Sequence, residues 1–129
     1  MFIRLNTRLV ACGAAIWLGT TVLLRVEGQR LLRPGDVAGT LILFAASFPA
    51  MAWVVRRLCR RFALRRDDWP AGAVSVALPT LLLDPFSSAF FPVTFPNMSP
   101  EVAGVFGGWM LWCCAGALVG AITAPPEGQ

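Results

Sequence analysis

The sequence contains no histidine and no lysine, and only 14% of its residues are charged. Without histidine there is no histidine-ligated haem, no histidine-containing metal site and no Ser-His-Asp triad. A P-loop and a dinucleotide-binding fingerprint are missing as well. None of the four cysteines stands in CxxC metal-site spacing. Cys12, Cys113 and Cys114 fall within apolar runs and Cys59 near the end of one, so they read as small buried hydrophobes rather than a disulfide framework. Soluble-enzyme chemistry therefore has little to draw on, and no cofactor is implied.

What the chain does have is apolar surface: 57% of its 129 residues are hydrophobic. Its mean hydropathy is +0.67. A soluble fold of this size has too little interior to hide that much apolar area. The apolar residues gather in Leu9–Val26, Val37–Val55, Trp69–Leu83 and Pro100–Thr123. At about 1.5 Å per residue the second and fourth nearly or fully cross a hydrocarbon layer about 30 Å thick. The first is marginal, and the third, which stops at Asp84-Pro85, reaches only roughly 22 Å. The reading is an all-α fold, with residues 1–129 forming a single integral membrane domain. It is a four-helix transmembrane bundle with a Pro/Phe-rich interfacial segment between the third and fourth helices. The first run resembles a secretory signal, but no small-residue cleavage site follows Val22-Leu23-Leu24-Arg25, so it reads as a retained helix.

The formal charge of +4 rests on arginine. Arg4 and Arg8 precede the first span, and Arg56, Arg57, Arg60, Arg61, Arg65 and Arg66 lie between the second and third; these outnumber Arg25, Arg30 and Arg33 of the first loop. The positive-inside rule then puts both termini in the cytoplasm, while the inverse topology stays open because the first loop is itself somewhat basic. The six loop arginines are interrupted by Leu58, Cys59, Phe62, Ala63 and Leu64, which suits a helix lying along anionic headgroups; the plainer alternative is that they only set topology. So short a basic loop offers no nucleic-acid recognition fold.

Local signals place the helix ends. Pro34-Gly35 closes a first helical hairpin, Asp67 and Asp68 suit a cap with Trp69 at the interface, and Ser99-Pro100-Glu101 suits the entrance to the last span. Ala11, Ala15 and Gly19 share one helix face, as do Gly104, Gly108, Gly116 and Gly120, and both faces permit close helix contact. Pro49 frees the carbonyl of Ala45, which a neighbouring helix, Ser47 or water must then satisfy, and Pro79 frees that of Ser75. Either proline is a static kink or a hinge. The Asp84–Ser99 segment is too apolar for a free aqueous loop and too broken by proline for a straight span, so it is expected to form an ordered cap with a short helix through Ser87–Phe91. A mobile tail is expected over Ala124–Gln129.

Chemistry-bearing groups are sparse. Asp84 and Glu101 bracket the cap and would meet if the ends of the third and fourth spans lie together; with Ser47, Ser75 and Thr80 they are the candidate substrate or ion path, and Thr20 and Thr21 are further lining groups. The stronger competing reading has Asp84 ending a helix and Glu101 favouring a helix N-terminus. Cys113 and Cys114 point about 100° apart and form no preorganised chelating face.

The run Leu81-Leu82-Leu83-Asp84-Pro85-Phe86, then Phe95-Pro96-Asn97-Met98-Ser99-Pro100-Glu101 and the glycine-rich last span, resembles uncharacterised small bacterial membrane proteins with four spans. The likeness covers mainly Leu81–Gly120 and implies a fold and a membrane location without an activity. The leading expectation is a compact four-helix protein of the bacterial inner membrane, acting as a structural or accessory subunit of a membrane assembly through helix packing. The alternative is a small oligomeric transporter or permeation protein, and an embedded enzyme is weakest because no nucleophile, base and orienting group come together. The partners implied are membrane lipids, a second copy of the chain or a larger membrane complex.

Overall fold

Asn6 opens the first helix. In the computed structural model, which describes residues 5–125, its side-chain oxygen accepts hydrogen bonds from the amides of Arg8 and Leu9 at 3.0 and 3.2 Å. The approach through Met1–Arg4, with Arg4's share of the topology charge, and the tail beyond Pro125 lie outside the described residues. Helix α1 runs from Thr7 to Leu31 and α2 from Val37 to Arg61. Between them Gly35 takes a φ of 76°, a left-handed turn that suits glycine, and Asp36 caps α2 by accepting from the Gly39 amide at 2.9 Å.

Helix α3 spans Trp69–Ala89, the short α4 spans Phe91–Thr94, and α5 spans Ala103–Ile122 after a 3-10 turn at Pro100–Val102. The expected end of the third helix at Asp84-Pro85 is corrected: Pro85 lies inside α3 with Pro79. Each proline removes one amide donor but tolerates helical φ, so α3 continues for another turn at the expense of the Leu81 and Ser75 carbonyl bonds. At 21 residues α3 reaches roughly 31 Å, which removes the shortfall expected from its shorter apolar run. The expected helix through Ser87–Phe91 is divided, its first part completing α3 and Phe91 starting α4.

All described regular structure is helical, and four helices are long and apolar enough to cross a membrane. Sequence neighbours are not the closest spatial neighbours. Helix α3 lies against α1 and α5, while α2 lies against α5, so α3 and α5 form the centre and α1 and α2 flank them. The Pro34-Gly35 turn therefore joins two helices that scarcely touch.

The glycines explain this arrangement. Gly13 sits against the Val76 backbone, so closely that a Cβ there would overlap the Val76 carbonyl. The Ala11, Ala15 and Gly19 face, by contrast, is exposed, and space is open beyond Gly19. On α5 the expected glycine face is split. A Cβ on Gly116 would lie 2.7 Å from the Phe48 carbonyl oxygen, and one on Gly120 would lie 2.5 Å from Ala52 Cα, whereas Gly104 and Gly108 meet nothing within 4 Å. Only the second GxxxG unit is used inside the chain, and it admits α2.

Two apolar clusters close the ends of the bundle. One joins Leu24, Leu32, Phe91, Phe95, Met98, Val102 and Phe106; the other joins Leu9, Val55, Cys59, Trp69, Ala73, Ala117 and Ala121. In the first, Phe95 and Phe106 pack with ring centroids 4.9 Å apart and Phe91 lies 5.3 Å from Phe95. The Pro/Phe segment thus turns these rings inward, while Phe86 and Phe90 remain exposed. Asn97 ties it to α1, donating to the Leu24 carbonyl at 2.9 Å and to Gln29 Oε1 at 2.6 Å.

The Arg56–Arg66 segment forms no helix of its own: Arg56–Arg61 complete α2, and a tight turn follows. That turn is a Schellman motif, with Ala63 donating to Arg60 O at 3.0 Å and Leu64 to Cys59 O at 2.9 Å. Ala63 holds a φ of 55° there, where glycine is usual. Neither Asp67 nor Asp68 serves as a side-chain cap. Trp69, expected at the interface, is buried and donates to Leu64 O at 3.2 Å.

Two substitutions separate used from unused glycines. Gly116→Ala is expected to lower stability by about 1–3 kcal/mol through overpacking. Gly108→Ala is expected to raise it by about 0.5–1 kcal/mol through the helix backbone. Thermal unfolding in detergent micelles reads both, and equal shifts would contradict the assignment.

Candidate functional site

Residues spaced three or four apart on a helix share a face, and four such faces converge near the middle of the bundle. Helix α1 contributes Trp17, Thr20 and Thr21, α2 contributes Ser47 and Met51, α3 contributes Thr80 and Asp84, and α5 contributes Trp109, Met110, Cys113 and Cys114. Together they line a cavity of about 280 Å³ between the two end clusters, walled mainly by apolar side chains. A second cavity of about 150 Å³ lies between α3 and α5 beside Ser88 and Gly107. Thr80, Asp84 and Met110 line both, so Asp84 stands in the wall between them.

Asp84 is 7% exposed. Its Oδ1 accepts a hydrogen bond from Trp17 Nε1 at 2.8 Å, a link from α1 to α3. Its Oδ2 is buried and has no hydrogen-bond partner among the described residues. No arginine lines either cavity among the described residues. A charged carboxylate oxygen left in that state costs several kcal/mol unless a cation or a proton compensates it. Opposite Asp84, Trp109 Nε1 donates to Ser47 Oγ at 2.8 Å, and Ser47 donates onward to Leu43 O at 2.6 Å. Ser47 is therefore not the partner of the Ala45 carbonyl freed by Pro49.

The structure brings together Asp84, Ser47 and Thr80 of the expected path, along with Thr20 and Thr21. It does not bring in Glu101 or Ser75. Glu101 is exposed within the 3-10 turn and lines neither cavity. Ser75 is fully buried and structural: its Oγ accepts from the Asn6 amide at 2.9 Å and donates to Ala71 O at 2.8 Å.

The arginines divide by task. Arg56 donates from Nε to Gly120 O at 2.8 Å and from Nη2 to Thr123 Oγ1 at 3.2 Å, meeting the carbonyl end of α5 where a cation is favourable. The Arg66 guanidinium lies 3.8 Å from the Trp69 ring centroid, and that of Arg57 lies 5.5 Å from the Trp53 centroid. Arg57, Arg60, Arg61 and Arg65 are exposed. A groove of about 700 Å³ runs along this face between Trp53 and Arg61.

Sequence reasoning missed Trp17, Trp109, Met51 and Met110 as cavity residues. Trp17, Thr20 and Thr21 carry the spacing of one helix face, but only the placement of α1 against α3 aims that face at Asp84.

The chain belongs to a family of unknown function, DUF5367, whose family model matches residues 31–125. No curated protein and no solved structure matches the chain. The matched span takes in α2 to α5, and so Asp84, Ser47, Trp109 and both cavity cysteines.

A double-mutant cycle tests the Trp17–Asp84 bond. Trp17→Phe, Asp84→Ala and the pair are expected to give a coupling of about 1.5–3 kcal/mol in thermal unfolding, the range for a hydrogen bond to a charged group. Additive effects would contradict the bond.

Proposed function

We propose that this DUF5367 chain is a four-span protein of the bacterial inner membrane that takes a small solute into the cavity at Asp84 and passes it across the bilayer. The observation that carries this reading is the carboxylate itself. It is buried between helices, it faces a cavity with mostly apolar walls, and one of its oxygens has no partner among the described residues. An ionisable group inside a membrane span is expensive and is retained where it serves a pathway or a binding site.

The membrane placement has its own support. The most apolar 18-residue window of α2 contains no buried residue, and Leu41, Ile42 and Trp53 are exposed along that helix. In water such a surface would be a large unpaid hydrophobic cost, whereas acyl chains solvate it. With the exposed arginines at the α2–α3 end anchored at the inner leaflet, both termini face the cytoplasm and the Pro/Phe segment lies at the outer interface. Arg57, Arg60, Arg61 and Arg65 then meet anionic headgroups. Pro79 lies one turn and a residue before Asp84 on α3, which suits a bend at the cavity.

The accessory-subunit reading keeps one specific observation. Gly104 and Gly108 of α5 face open space, which suits a helix of another chain or a second copy. It does not account for Asp84.

Thiol access separates the two. Cys113 and Cys114 line the cavity, so in a Cys12→Ala/Cys59→Ala background they report on it alone. Trimethylammonioethyl and sulfonatoethyl methanethiosulfonate are too polar to reach these thiols through lipid. Modification in sealed membrane vesicles by at least one of them is the expected result. Resistance to both, with full reaction after denaturation, would contradict permeation and favour a closed structural bundle.

A further inference from the structure

The solute class follows from how the cavity is built. Resting on the reading of the cavity as a solute site, we infer that it binds an organic monocation, an ammonium group carried on an apolar body.

Three observations converge on that class. The first is charge: among the described residues Asp84 is the one carboxylate lining either cavity, and no arginine lines them. The protein thus supplies a single negative charge without its own counterion, and Glu101, which would add a second, is exposed elsewhere. One carboxylate balances one positive charge, so a monocation matches it and a divalent ion does not. An anionic solute would set two like charges together in a poorly solvated space.

The second is volume. About 280 Å³ is far more than a bare ion fills, since a single water needs only about 10–15 Å³ of such space. A metal ion would also need several converging ligands. Among the described residues no group of three or more histidine, cysteine, aspartate or glutamate side chains is placed to hold one. An organic body uses the same space by contacting Met51, Phe106 and Ala117.

The third is the wall. Trp17 and Trp109 both line the cavity, and an indole ring is the best aromatic partner for an ammonium group stripped of water. Their N–H groups are already committed, Trp17 to Asp84 and Trp109 to Ser47. The rings therefore offer a solute aromatic surface rather than donors. Thr20, Thr21 and Thr80 are the remaining polar groups for orienting it. Trp17 holds Asp84 in the wall with Oδ2 covered, and an arriving cation takes the charge that no other group among the described residues meets.

A matched set of probes tests this in the Cys12→Ala/Cys59→Ala protein in lipid nanodiscs. Benzyltrimethylammonium supplies the cation, neopentylbenzene is its uncharged isostere, and phenylmethanesulfonate is an anion of similar size. Each is measured by its protection of Cys113 and Cys114 from N-ethylmaleimide and by calorimetric titration. The cation is expected to bind once per chain and to protect at least about tenfold more effectively than either of the others, the worth of one charge-assisted contact. Asp84→Asn is expected to remove that advantage and Asp84→Glu to keep part of it. If Asp84→Asn fails to fold, the three probes on the parent protein decide alone. Equal protection by the neutral isostere, or protection by the anion, would overturn the cation assignment and leave the cavity reading standing. Free modification with no protection by any probe would overturn the inference too. Cysteines closed to every reagent would overturn the cavity reading itself.

Discussion

The Trp17–Asp84 hydrogen bond is the contact on which the middle of the molecule depends. It joins α1 to α3 at 2.8 Å, across 67 residues of sequence, in a region where other polar partners are few. Four helices that meet only through aliphatic side chains would have many near-equivalent rotations. A buried carboxylate that accepts from a single donor has few, because losing that donor leaves both oxygens uncompensated. The bond therefore selects which faces of α1 and α3 meet, and those faces enclose the cavity.

Packing at the two ends makes that arrangement rigid. Gly13 admits the Val76 backbone and Gly116 and Gly120 admit α2, so contacts are backbone-close toward the end where Trp69 and Cys59 are buried. Toward the other end Phe91, Phe95 and Phe106 fill the space with rings, and Met98 lies over Gly28. Close approach at one end and bulky filling at the other leave the unfilled volume between them. The cavity is thus a consequence of where glycine and phenylalanine fall along the chain. Arg56, by meeting the last carbonyls of α5, ties α2 to the same central helix.

Much of this was legible in the residues themselves. Four apolar runs, the Pro34-Gly35 turn and the polar groups at Ser47, Thr80 and Asp84 all follow from local composition and spacing. Pairing did not, because an apolar helix presents weakly differentiated faces. Ala11-Ala15-Gly19 and Gly104-Gly108 look as suited to contact as Gly13 and Gly116-Gly120, and only the tertiary arrangement distinguishes them. Proline misled at Pro85, where its tolerance for helical φ outweighed the loss of one donor. Ser75 looked like a path residue and proved to be the partner of the Asn6 amide, a contact between segments far apart in sequence. Glu101 was misplaced for the converse reason: the turn at Pro100–Val102 leaves it outward instead of above Asp84.

The central claim is that Asp84 lies inside the bundle, held there by Trp17. Solid-state NMR in lipid bilayers, with ¹⁵N in tryptophan side chains and ¹³C in aspartate carboxyls, measures this contact without a substitution. A strong dipolar coupling between Trp17 Nε1 and the Asp84 carboxyl carbon is the predicted result. Its absence from folded protein would contradict the account.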